Sequence, residues 1–483
     1  MKIVNIDFSR LRGALRDLPS DHDADGDHAP SPQEIFAPEQ HANALDPYST
    51  IVVGARGTGK SFWAGVLNHD HTRIVAGEFY PNLGLDSLIV TPGYTSLNQK
   101  KFIDALVPAG RENELGYTFW QSLIIQSVHK KLNPTAPSKK LSDIMQNFND
   151  PEDVDIYFSD LEKTLKGLNK TILVTFDALD TISKQWGRSG LLLDALFEAI
   201  WSLRAYKNIK AKVFIRPEQL NDDSLRFVEL PKLKSARVEL EWTQEELYGL
   251  LFSRLAYESQ SPDFLSLCNQ LGIGRPNSNS TKAKRSWMLL FDSGLQQNVM
   301  SVIAGPYMGS NPKKGKTYDW PYRHLSDAYG NVTPRSFIKL FVEAAKFVHV
   351  NQTQVVTAEG IRHGLREASK VRVDQLGVEY VWVRRALAPL AGLRVPCDIS
   401  ELITRWQDTN TVRVILNASK DEETGFLPPF PPTTKLDKNT ALLEAMAKIG
   451  LIEYRHDGRI DIPDLFRVAA LMLKKGGLAP SKK

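Results

Sequence analysis

The chain has 483 residues, 42% of them hydrophobic and 24% charged, ordinary proportions for a globular protein of two to four domains. A formal net charge of +4 is small for this length and neither demands nor forbids contact with nucleic acid. Two cysteines, Cys268 and Cys397, without a CxxC spacing exclude a disulfide framework or a cysteine zinc site. The charged opening stretch has no apolar signal core and no apolar run is long enough to span a bilayer, so a cytoplasmic protein without membrane contact is expected.

Residues 1–48 form an N-terminal segment whose acidic, Pro-bearing stretch from Ser20 reads as a loop. The Asp and His cluster at its start reads first as a solvated linker, with metal binding as the competing reading. From residue 49 to about 260 strand and helix signals alternate. The β-branched run within 49–55 is a buried strand, followed by an amphipathic helix at 60–69. A possible strand at 86–93 and a helical pattern at 116–132 follow. The run at 170–180 is a strong strand, 190–206 a helix, and 211–217 and 236–242 further strands. Thr243 and Glu246 form a capping box at the head of the next helix. This rhythm predicts a mostly parallel sheet with helices on both faces. Residues 261–371 read as a helical lid domain, with basic Gly/Ser/Asn-rich patches at 274–284 and 309–316 around one apolar helix. Residues 372–483 end in helix, strand, tight His-Asp-Gly turn, strand and helix, a winged-helix-like pattern with a basic tail.

The turn after the first strand runs Gly54-Ala55-Arg56-Gly57-Thr58-Gly59-Lys60-Ser61, a match to G-x-x-x-x-G-K-[ST]. Glycines there let the backbone aim successive N–H groups at phosphate oxygens. The following helix adds its N-terminal dipole. Lys60 is placed to reach the outer phosphates and Ser61 to offer a hydroxyl to Mg²⁺. Phe62 completes the set of residues expected at the nucleotide. Such a turn needs an acid at the end of a neighbouring strand, and Asp177 supplies it, although it also suits a helix N-cap. The following residue is Ala178, where many ATPases have an acid that serves as base. The next acid is Asp180, so either Asp180 polarises the attacking water or hydrolysis is slow. Arg216 ends another strand just before Pro217, where it can read a terminal phosphate or be a plain surface charge. Arg335 follows Pro334 at the head of a helix and invites the same two readings. Arg56 reads first as a solvent-exposed charge, with reach to a neighbouring subunit's nucleotide as the competing reading.

The D-A-L-D pattern at 177–180 resembles the acidic motif of the STAND, NACHT-like branch of P-loop ATPases. The order of phosphate turn, acidic strand, arginine strand and Pro-Arg helix resembles the AAA+/STAND superclass over about residues 45–350. The resemblance implies an α/β P-loop NTPase core, a helical lid and a winged-helix-like C-terminal domain. It also implies ATP and Mg²⁺ as cofactors, Lys60, Asp177, Asp180 and Arg216 as catalytic residues, and Arg335 as a lid-side sensor. As function it implies an ATP-binding and hydrolysing switch that assembles as a homo-oligomer and controls a separate effector protein, in bacterial antiviral defence. Two alternatives stay open. One is a DNA-binding loader or remodeller that uses Arg455, His456 and Arg459 of the wing and Lys474, Lys475, Lys482 and Lys483 of the tail. The other is a scaffold whose nucleotide is structural and never hydrolysed. The preference for adenine comes from the resemblance. The literal T-K-x-D match at Thr434–Asp437 lies far from the turn and reads as chance.

Overall fold

The computed structural model describes residues 6–20, 28–95, 97–137, 139–183, 186–220, 225–276, 281–347, 353–421 and 425–479. Of the Asp and His cluster only His28 falls among them, and Lys482 and Lys483 lie outside them. The chain divides into a core unit, residues 23–240, and a C-terminal unit made of residues 1–22 and 241–483.

The core unit is built on five parallel strands: β1 (Ile51–Val53), β2 (Leu88–Tyr94), β3 (Thr171–Phe176), β4 (Ile209–Ile215) and β5 (Val238–Glu239), in the spatial order β2-β3-β4-β1-β5. Strands covered on both faces must be apolar at nearly every position, and the alternation sorts their side chains. Val52, Leu173 and Phe214 pack with Trp63, Ala64, Val66 and Leu67 of the helix Lys60–Asn68. Ile51, Val53, Ile172, Val174, Val213 and Ile215 face the opposite way, onto Phe119 and Trp120 of the helix Glu112–Leu132 and Leu192 and Leu196 of the helix Trp186–Ser202. Trp120 is buried edge-on to Tyr94 and Phe176, and its indole N–H donates to the Leu192 carbonyl at 2.8 Å, which satisfies its one polar atom. The core is therefore the expected α/β P-loop architecture, a parallel sheet between helices. The sequence pattern at 236–242 overstates the last strand. Only Val238 and Glu239 pair, and Leu240 then donates its N–H to Val53 at 2.6 Å.

The N-terminal 48 residues do not behave as one segment. The helix Phe8–Arg16 belongs to the C-terminal unit, where Arg12 donates to the carbonyls of Val355 and Gln354, each at 2.8 Å. Residues 35–45 belong to the core unit, where Ile35, Ala44 and Leu45 are buried and the Tyr80 hydroxyl donates to Pro38 at 2.5 Å.

In the C-terminal unit the capping box forms as expected. Thr243 Oγ1 accepts from the Glu246 N–H at 3.2 Å and Glu246 accepts from the Thr243 N–H at 2.8 Å, ahead of the helix Gln244–Ser253. Helices Pro334–Lys346 and Ala358–Glu379 pack against each other at bare-backbone distance. A Cβ on Gly364 would lie 2.1 Å from the Leu340 carbonyl oxygen. The second of these helices runs unbroken across residues 371 and 372, where the change of sequence character suggests a boundary. Further on, helices Ile399–Asp408, Thr411–Ser419 and Lys438–Lys448 precede an antiparallel hairpin of β7 (Glu453–Tyr454) and β8 (Ile460–Asp461). Two short parallel strands, β6 (Arg394–Val395) and β9 (Leu473–Lys474), pair beside them, and Cys397 bridges to Ile460. The last expected helix is one turn, Asp464–Arg467.

Candidate functional site: a phosphate turn and its acid–arginine pair

The turn begins where β1 is pinned on both sides. The Gly54 N–H donates to Ile215 at 3.1 Å, and Leu240 bonds the preceding residue. A Cβ at Gly54 would stand 2.5 Å from Thr58 Oγ1, so the turn closes only around glycine. Thr58 is buried and its hydroxyl donates back to Ala55 at 2.9 Å. Gly57 and Gly59 take φ of 84° and 103°, left-handed conformations that L side chains resist. Such alternation curls consecutive N–H groups into a concavity for an anion. The Gly59 carbonyl then accepts from the Trp63 N–H at 3.0 Å and starts the helix. Buried Trp63 holds that helix down, its indole N–H donating to His41 Nδ1 at 3.3 Å.

Lys60 Nζ donates to the carbonyls of Gly54 at 2.7 Å and Ala55 at 3.0 Å. Among the described residues no carboxylate lies within ion-pair distance of it. Burial first, and the Arg216 cation second, push its ammonium down to about 8 against the opposing pull of Asp177, Glu218 and Asp180. It is thus a desolvated cation short of counter-charge.

Asp177 follows β3 and is tied to β2 through its N–H, which donates to the Tyr94 carbonyl at 2.7 Å. Its carboxyl is buried and pushed up by desolvation, opposed by the Ser61 hydroxyl and the Ala178 N–H. Its Oδ2 has no hydrogen-bond partner among the described residues. Ala178 sits at φ 55°, ψ 30°, a left-handed position for a non-glycine residue. That reversal carries the chain into a single 3-10 turn, Leu179–Thr181. There Asp180 Oδ2 meets Arg216 Nη2 at 2.8 Å. Sheet order explains the meeting, because β4 lies directly between β3 and β1.

Sequence reading thus named Lys60, Ser61, Asp177, Asp180 and Arg216, and the core unit brings all five to the C-terminal edge of the sheet. It missed Tyr94, whose hydroxyl donates to Thr181 Oγ1 at 2.9 Å while that oxygen donates to Ala178 at 2.8 Å. These two bonds hold the turn that presents Asp180. Nothing in the local sequence marks Tyr94, since its role comes from strand pairing between residues far apart in the chain. Glu218, on the turn Pro217–Leu220 after Arg216, was also missed, although an acid two residues past the arginine was legible. Arg335 is the second residue of the helix Pro334–Lys346 in the C-terminal unit, behind the N-cap Thr333.

Among the described residues no group of three or more His, Cys, Asp or Glu side chains is placed to hold a metal, and no helix is long and apolar enough to cross a membrane. No family model matches the chain, and none of the curated proteins does. Among solved structures, the ORC2 protein of Aeropyrum pernix, determined as ADPNP and ADP complexes, aligns over 93% of both chains at 12% identity with a TM-score of 0.32. With so loose a superposition, the residues of the site carry the functional reading.

Proposed function

We propose that the chain is a nucleotide-dependent switch that binds ATP with Mg²⁺ at the Gly54–Ser61 turn and hydrolyses it slowly. One observation carries this reading: a half-buried cation, Lys60, beside a buried carboxylate, Asp177, the first without an ion pair and the second with an oxygen that has no hydrogen-bond partner among the described residues. Each lacks what a magnesium–phosphate group brings. When bound, Mg²⁺ neutralises charge on the outer phosphates. The Ser61 hydroxyl and, through water, Asp177 would hold it, in keeping with an ion that takes few protein ligands and keeps its waters. Curled amides and Lys60 would hold the phosphates. Phosphoryl transfer asks mainly for positioning and charge neutralisation, which this constellation offers.

Asp180 is the acid available to orient the attacking water. Arg216 already occupies its Oδ2, leaving fewer lone pairs for that task, and Ala178 offers none. Slow turnover is the consequence. Arg216 reads the terminal phosphate by exchanging Asp180 for it, and differential affinity for the two arrangements is what makes a switch. The AAA+/STAND affiliation, a sensing role for Arg335, homo-oligomer formation, control of a separate effector and a place in antiviral defence rest on the resemblance of motifs alone.

Phosphate release from Mg-ATP by wild type, Lys60→Ala, Asp177→Ala and Asp180→Ala tests the enzyme. Equal release by all four overturns it. A second reading, a structural nucleotide never hydrolysed, is favoured by the Arg216–Asp180 pair. Calorimetric uptake of ATP without phosphate release above the Asp177→Ala background selects that reading.

A further inference from the structure

The two compact units differ in charge. Residues 1–22 with 241–483 hold 36 Lys and Arg against 28 Asp and Glu, while residues 23–240 hold 24 against 28. The chain's positive excess therefore sits wholly in the C-terminal unit.

The wing does not present that excess. Arg459 pairs with Asp457 at 2.7 Å, Arg455 with Asp461 at 3.4 Å, and Lys474 with Asp461 at 2.8 Å. A phosphate arriving there must displace carboxylates already in place.

Residues 305–317 differ. The segment Gly-Pro-Tyr-Met-Gly-Ser-Asn-Pro-Lys-Lys-Gly-Lys-Thr contains no acid. It folds back on itself as a hairpin-like loop. Tyr307 bridges Lys316, the Met308 N–H donates to Gly315 at 2.9 Å, and the Thr317 N–H donates to Pro306 at 3.2 Å. Met308 and Thr317 are buried and anchor its base, and Arg362 donates to the Met308 carbonyl. The tip is fixed by Asn311, whose side chain accepts from the Lys313 N–H at 3.1 Å, ahead of the 3-10 turn Pro312–Lys314. Lys313, Lys314 and Lys316 are exposed. Among the described residues none of them has a carboxylate within ion-pair distance, and Lys316 bonds only the neutral Gln297, at 3.1 Å. Backbone bonds, not counter-ions, hold these three ammonium groups on one ordered projection.

We propose that the 305–317 loop, and not the wing, is the element by which this chain contacts the phosphate backbone of duplex nucleic acid, without reading its sequence. Lysines act on phosphate as point charges, and the net positive charge of the C-terminal unit favours the approach of a polyanion. Lysine carries no planar fork, and the loop's one amide, Asn311, has its Oδ1 already accepting from the Lys313 N–H, so contact falls on the backbone. This inference stands independently of the nucleotide reading.

The test is fluorescence anisotropy of a labelled arbitrary-sequence duplex of about 30 base pairs with the full chain, in salt from about 50 to 200 mM. Wild type is compared with the triple variant Lys313→Ala/Lys314→Ala/Lys316→Ala, the triple Lys→Arg variant at the same positions, and Arg455→Ala/Arg459→Ala. Thermal melting confirms that each is folded. The alanine triple is expected to lower the slope of log K against log salt by about 0.9 per lysine. The arginine triple should keep the wild-type slope, and so should the wing variant. No salt-dependent binding by wild type, an unchanged slope in the alanine triple, or a slope lost in the wing variant overturns the proposal.

Discussion

The Gly54–Ser61 turn and the Arg455–Arg459 turn use similar parts: a tight reversal, glycine at positive φ, and basic side chains. Their cations meet opposite fates. Lys60 is half-buried against carbonyls, its charge opposed by that of Arg216, with no carboxylate in ion-pair range among the described residues. Arg459 and Arg455 lie in a turn that brings its own acids, and Asp457 is held below its ordinary value chiefly by Arg459. A basic residue in a sequence thus marks an anion site only where the fold withholds its counter-charge. Lys313 and Lys314 fall on the Lys60 side of that division.

The largest effect that sharpens the contrast is at Lys60. Lys60→Ala should weaken Mg-ATP binding and lower phosphate release by about 10²–10³-fold, the scale of removing one preorganised charge-stabilising group. Calorimetry and phosphate release measure both, and a loss below tenfold would break the contrast. Next in size, Arg216→Ala should reduce phosphate release by about 10–100-fold, the size of one lost hydrogen bond to a charged group. Its ATP affinity should stay within a few-fold of wild type. A variant that loses binding and turnover together would show Arg216 acting on the ground state.

A pH experiment separates desolvated cations from paired ones. Lys212 is fully buried in β4, its ammonium donating to the backbone carbonyls of Asp46 at 2.8 Å and Ser49 at 2.5 Å, and burial lowers it to about 7. With Lys60 lowered to about 8, the folded chain gives up these protons at lower pH than the unfolded chain does. The unfolded state then holds more protons between about pH 7 and the ordinary lysine value near 10.4, so unfolding free energy rises with pH across that window. Denaturant midpoints should increase from pH 7 to 9, and Lys212→Met should flatten the part that begins near pH 7. A flat wild-type profile would mean that both ammonium groups are hydrated. The smallest effect belongs to the Arg455–Arg459 turn. Arg459→Ala removes an exposed pair of little worth and should leave the melting temperature unchanged. A fall of several degrees would show the turn depends on that pair.

Much of the phosphate turn was legible because its chemistry is local. Gly54, Gly57, Gly59, Lys60 and Ser61 are neighbours, and each is needed for a backbone angle, a charge or a hydroxyl that the sequence names outright. The apolar runs around Ile51, Thr171 and Ile209 likewise announce strands buried on both faces, since alternation disappears when there is no wet side. The capping box at Thr243 and Glu246 is legible for the same reason, being four residues long and self-contained.

What only the tertiary structure decided depends on partners distant in sequence. Asp180 and Arg216 meet because β3 and β4 are adjacent, and Tyr94 governs the turn after Asp177 because β2 pairs with β3. The split of residues 1–48 between two units, and the continuity of Ala358–Glu379 across an apparent boundary, also escape local pattern. Above all, the sequence counts charges, while only packing determines which of them are already answered. Electrostatic interaction falls with distance through space, and distance along the chain says nothing about it until the chain is folded.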